Sequence, residues 1–209
     1  MDAKYIDMAN KLHRDGNTRT DVLASVLRAI MVDLKIDDNQ YMIIAGYCLR
    51  DFREASDLDV VVSKKAFQTL TKHIGNRDEA KISKDERIVL AFPDIDKDAE
   101  IEFFPKAHGI GFPTNDFSMA KLQQDGRLIK DRFGNPYYNI EACVAQYSAV
   151  TRQGDVYKMG EFEIDIARIN KNISHMGKIK DYLDSKHREL ADTIEMVNAN
   201  IRKLTEIIE

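Results

Sequence analysis

Two aspartates separated by one residue, Asp57 and Asp59, open a run of valines, and Gly46 stands eleven residues before the first of them, at the end of another apolar run. In an extended strand, residues two apart project from the same face, so these two carboxylates are neighbours. Held that close they repel, unless a cation lies between them or one of them keeps its proton. Hard carboxylate oxygens with open positions suit Mg²⁺ or Mn²⁺ carrying the phosphates of a nucleotide. A glycine at the end of the preceding strand lets a phosphate approach the backbone and face the N–H groups of the next helix. The tripeptide alone also begins many strands at a solvent edge; Gly46 sets this one apart.

Positioning such residues takes strands around them and helices behind. Residues 41–45 and 58–62 read as short buried strands. The first 38 residues read as helix, with Asn17, Thr18 or Thr20 able to cap a segment in which Val22, Leu23, Val26, Leu27, Ile30 and Leu34 recur at spacings of three and four. Ser63 is placed to cap a helix through Phe67, Leu70 and Ile74 that ends at Gly75-Asn76. Residues 88–92 and 101–104 carry β-forming side chains around a turn-rich segment. Three of the four prolines fall in 105–136, which reads as a long, partly irregular connection.

From about Asn139 the chain reads as helical. Leu183, His187, Leu190, Ile194, Val197, Ile201, Leu204 and Ile208 are spaced by fours and threes, a heptad seam. Gly177 and Ser174 mark the expected break before a helix over 178–209, about 48 Å long at 1.5 Å per residue. Such a seam has to be covered, by the chain's own helices or by a second copy, and its run to the last residues favours a homodimer through this helix. Two regions result: an α/β core over 1–137 and a helical region over 138–209.

Composition bounds the function. With 44% hydrophobic and 32% charged residues in 209, the chain can bury a core and is no disordered polymer. Its apolar runs are too short to cross a bilayer, so no membrane association is expected. The amino terminus lacks a basic start followed by a long apolar stretch, so no signal peptide is expected. Cys48 and Cys143 are too few for a disulfide framework or a zinc cluster, which fits a reducing, cytoplasmic setting. A net charge of −4 excludes a chain-wide basic field for nucleic acid. Lys121, Arg127, Lys130 and Arg132 form a modest basic cluster that reads more readily as a solvated loop. Asp94, Asp96 and Asp98 begin like a calcium loop, but Ala99 and Pro105 occupy its sixth and twelfth positions and break the pattern.

Gly46, the run Arg53-Glu54-Ala55-Ser56-Asp57-Leu58-Asp59 and the valines after it resemble the nucleotidyltransferase superfamily that includes DNA polymerase β. The resemblance covers 41–104 well and 138–166 loosely. It implies an α/β (α+β) fold: a mixed-sheet core of about five strands with flanking helices, followed here by the long C-terminal helix. It also implies a third carboxylate on a later strand, for which Glu102 is the better match and Glu100 the alternative. Asp57 and Asp59 then bridge two metals, Mg²⁺ or Mn²⁺, and Glu102 (or Glu100) binds the acceptor-side metal and serves as base. Gly46, Tyr47, Arg53, Ser56, Arg152 and Lys158 fall on the nucleotide side. Tyr47 stands where the family usually has serine or glycine, and the third acid is glutamate in place of aspartate. The implied reaction moves a nucleoside monophosphate from an NTP such as ATP to a hydroxyl acceptor (an RNA 3′ end, a small molecule or a protein side chain) and releases pyrophosphate. The alternative is a non-catalytic module of this fold acting through its C-terminal helix. A glycosyltransferase using Asp-x-Asp fits less well, for want of a Rossmann-type unit.

Overall fold

The structure, a computed structural model, describes residues 3–50, 54–55, 57–74, 80–82, 87–105, 119–140, 142, 166–186, 188 and 191–208. It divides into two compact units: residues 1–109 with 119–139, and residues 110–118 with 140–209.

The first unit is α+β. Helices α1 (Ala3–Arg14) and α2 (Arg19–Asp33) precede β1 (Tyr41–Ile43), a 3₁₀ turn (Ala45–Leu49) and β2 (Asp57–Val62). Then come α3 (Lys64–His73), β3 (Ala80–Ile82), β4 (Ile88–Ala91), β5 (Glu100–Pro105), α4 (Met119–Gln124), β6 (Leu128–Lys130) and β7 (Pro136–Tyr138). The strands form one mixed sheet in the order β3-β4-β5-β2-β1-β7-β6, in which β2 and β5 run parallel, as do β1 and β7, and the other neighbours are antiparallel. Among the described residues seven strands stand where about five were expected. Residues 119–136 are not irregular: they hold α4 and the β6–β7 hairpin, whose strands of three residues are too short to show a period.

Local chemistry sets the helix starts. The Thr18 hydroxyl accepts from the Asp21 N–H and caps α2, and the Ser63 hydroxyl accepts from the Ala66 N–H and caps α3. At its far end α2 closes with Lys35 in the left-handed region (φ 54°), its N–H on the Val32 carbonyl and that of Ile36 on the Met31 carbonyl.

The core follows from the strand period. In β2, Leu58, Val60 and Val62 are buried and share a face, and Ile101 and Phe103 of β5 lie beside them. Leu23 and Leu27 of α2 and Leu70 of α3 join them in one hydrophobic cluster. Each such side chain is worth about 1.5–3 kcal/mol on full burial. Because that face carries the core, Asp57 and Asp59 are committed to the other face.

The second unit contains α5 (Ile166–Lys186) and α6 (Ala191–Ile208), which pack on one another as a helical hairpin. The single helix expected over 178–209 is therefore corrected. α5 runs through Ser174 and Gly177 and ends at Lys186, Arg188 lies in a turn, and α6 begins at Ala191. The buried stripe of α6 is Thr193, Val197, Asn200 and Leu204, one position round from the expected seam at two of its sites, with Ile194 and Ile201 half-buried at its side. His187 and Leu190 lie outside the described residues.

Candidate functional site: an acidic sheet face beside a glycine turn

The pairing of β2 with β5 decides what Asp57 and Asp59 meet. Asp57 stands opposite Glu100 and Asp59 opposite Glu102, in a parallel register that puts all four side chains on one face. Adjacent strands lie about 4.8 Å apart, so these are neighbouring acids. Asp57 is exposed, while Asp59, Glu100 and Glu102 are half-buried. Burial foremost, then the charges of Asp57 and Glu102, push the Asp59 carboxyl up to about 7, with Arg87 opposing them. Glu100 is raised as well, by burial and by the charges of Glu102 and Asp57. A face of this kind holds a proton near neutrality and favours any cation that takes the proton's place.

Arg87 is such a cation. It immediately precedes β4, whose Val89 pairs with Glu102, and its Nη1 donates to Glu102 Oε2 at 2.9 Å. Its guanidinium lies 5.8 Å from the centre of the Phe104 ring. The donor set suits a hard divalent ion: four carboxylates on one face with coupled charges. Among the described residues, however, no three acidic, histidine or cysteine side chains are gathered as a ready metal cage. Asp57, Asp59 and Glu102 share a face without forming such a group, and Glu102 is engaged by Arg87.

The glycine turn lies alongside. The Ile44 N–H donates to the Asp59 carbonyl at 2.8 Å, so the end of β1 is bonded to the strand bearing the acids, and Gly46 follows in the 3₁₀ turn. The other approach to Asp57 is pinned through Ala55. The Ala55 N–H donates to the Thr20 hydroxyl (2.7 Å), the Arg19 Nε donates to the Ala55 carbonyl (3.1 Å), and Arg19 also pairs with Asp96 (2.9 Å). Thr20 itself is buried. The amino end of α2 thus fixes where β2 begins.

Tyr47 does not present a hydroxyl for a phosphate, and its side chain is removed from the nucleotide-binding candidates. The ring is 2% exposed, and the hydroxyl donates to Asp131 Oδ2 at 2.5 Å. Burial, then the bond to Asp131, pushes this phenol far up its range. Asp131 in turn accepts from the N–H groups of Phe133 and Asn135 and from the Asn135 amide. Arg50, at the end of the turn, lies over both Tyr47 (4.9 Å) and Tyr137 (4.4 Å), whose rings meet edge to face. Arg53, Ser56, Arg152 and Lys158 lie outside the described residues.

Sequence reasoning missed Arg87, Arg50, Asp131 and the Arg19–Thr20 anchor. Arg87 alone carried a signal, since it shares strand parity with Val89 and therefore the face of Glu102, once the β4–β5 register is known. No family model matches this sequence, and neither the curated proteins nor the solved structures give a match.

Proposed function

We propose that this chain is a metal-dependent nucleotidyltransferase that moves a nucleoside monophosphate from an NTP to a hydroxyl acceptor with release of pyrophosphate. The observation that carries this reading is the β2–β5 register, which sets Asp57 and Asp59 against Glu100 and Glu102 on one face beside a glycine turn. Asp57, Asp59 and Glu102, with Glu100 as a fourth donor, would hold Mg²⁺ or Mn²⁺. When bound, the metal supplies charge neutralisation at the phosphates and a more acidic acceptor hydroxyl. The chain's own part is to keep the four acids on one rigid face, to offer backbone N–H groups near Gly46 to the phosphates, and to receive the acceptor's proton at a carboxylate. With Tyr47 turned inward, backbone groups carry the turn's share of that binding. The acceptor is an RNA 3′ end, a small hydroxylated molecule or a protein side chain, in a cytoplasmic setting. Among the described residues no helix is long and apolar enough to cross a membrane.

Labelled-nucleotide transfer with each of the four NTPs, Mg²⁺ or Mn²⁺ and a cell lysate as acceptor source tests this. Transfer that needs the metal and disappears in an Asp57→Asn/Asp59→Asn double variant is the expected result. Transfer that survives in the double variant, or none with any NTP, overturns it.

A second reading, a non-catalytic binding module, is favoured by one observation: Glu102 is already paired with Arg87. Association of two copies through α6 belongs to this reading. Its original ground is weaker now that Val197 and Leu204 are buried within a unit where α6 packs on α5.

A further inference from the structure

Arg87 reaches the acidic face from the neighbouring strand. By the β4–β5 register it falls opposite Phe104, one pair beyond Glu102 on the same face, and a long side chain spans that diagonal. The Glu102 side chain is 15% exposed and that of Arg87 36%, so the carboxylate end is largely shielded while the guanidinium keeps a route to solvent. A charge-assisted bond in that setting is stronger than one between two fully solvated groups. It occupies Oε2, and a divalent ion at bonding distance from that oxygen would meet the guanidinium as a like charge.

We propose that Arg87 is the resident counter-cation of the acidic face, holding Glu102 until a divalent ion takes that carboxylate over, and that it thereby sets how tightly the site takes metal. This rests on the metal-dependent reading above. Arg87 acts through Glu102 and is a positioning residue. Its release from Glu102 exchanges one cation for another and needs no covalent step.

The test is Mn²⁺ binding to the full chain, read from the magnetic resonance signal of free Mn²⁺, with circular dichroism in metal-free buffer reporting the fold. Arg87→Gln is expected to bind Mn²⁺ about tenfold more tightly, the equivalent of one charge-assisted bond released. Arg87→Lys, which keeps the charge, should return most of the parent affinity. In a Glu102→Gln background, Arg87→Gln should gain little, because the carboxylate through which it acts is gone. An unchanged or weaker affinity in Arg87→Gln overturns the proposal, and so does an equal gain in the Glu102→Gln background, which would mean diffuse charge alone. If neither the parent nor Arg87→Gln binds Mn²⁺, the metal reading falls and takes this proposal with it, an outcome distinct from metal binding that ignores Arg87.

Discussion

Replacing Asp59 by asparagine should change how stability depends on pH more than it changes stability at any one pH. The folded carboxyl titrates near 7 against an ordinary value of 3.8. A group raised on folding binds its proton more tightly in the native state, so its contribution is most favourable at low pH and declines from 3.8 up to 7. Above 7 the ionised Asp59 costs the fold about 4 kcal/mol, and at pH 5 about 1.7 kcal/mol. Asparagine has nearly the same shape and does not ionise. Relative to Asp59→Asn, the parent chain should therefore lose about 2–3 kcal/mol between pH 5 and pH 8, or about 5–10 °C in Tm for a chain of this size. Urea denaturation of both proteins across that range, in metal-free buffer, measures it. Adding Mg²⁺ at pH 8 should raise the melting temperature of the parent and leave the variant nearly unmoved. Stability profiles that run parallel from pH 5 to 8 would refute the electrostatic coupling of Asp57, Asp59 and Glu102, and with it the physical basis of the site.

Tyr47→Phe removes one donor from Asp131, whose Oδ2 keeps the Asn135 amide, and the loss of a hydrogen bond to a buried carboxylate costs about 1–3 kcal/mol. Urea denaturation reads that loss, and nucleotide binding should stay unchanged because the hydroxyl faces the core. Two glycine exchanges should both stabilise, for opposite reasons. Lys35→Gly relieves a left-handed backbone (φ 54°), and Gly177→Ala stiffens a helix interior where an added Cβ meets nothing within 4 Å. Each is expected to add about 0.5–1 kcal/mol, measured by thermal melts. Truncation after Ser185 should strip the partner from Met176, Ile179 and Leu183 of α5, all 0% exposed. Loss of helical dichroism beyond that of α6 itself is expected; an intact α5 in the truncated chain would show that α6 is not its cover.

What could be read in advance was whatever depends on near neighbours in sequence. Thr18 and Ser63 cap their helices through an amide three residues on, and Asp57 and Asp59 share a face because a strand has a period of two. What could not be read depends on distant partners. Tyr47 finds Asp131 across 84 positions, and nothing local distinguishes an inward phenol from one offered to a ligand. The hairpin between α5 and α6 failed for another reason. Residues 186–190 contain neither glycine nor proline, and His187 and Leu190 continue the heptad, so the pattern runs unbroken through the turn. Gly177 misled in the opposite direction. A lone glycine costs a helix interior about 1 kcal/mol, less than the burial of Met176 or Ile179 on either side returns.

The two departures from the nucleotidyltransferase pattern share one physical sense. A serine or glycine after Gly46 would leave the turn to be ordered partly by its ligand. Tyr47 orders it from behind, by burying its ring and bonding Asp131. At the third acid, glutamate in place of aspartate adds a methylene. That keeps the Cα of Glu102 opposite Asp59 while its carboxylate extends to Arg87, one pair along the strand. An aspartate with the same Cα has a shorter reach to that guanidinium and would leave more of the charge facing Asp59. Both changes move work from a bound group to the chain itself, in the turn by packing and on the sheet face by an internal cation. On the proposed reading, a metal entering this face would have to displace Arg87 from Glu102.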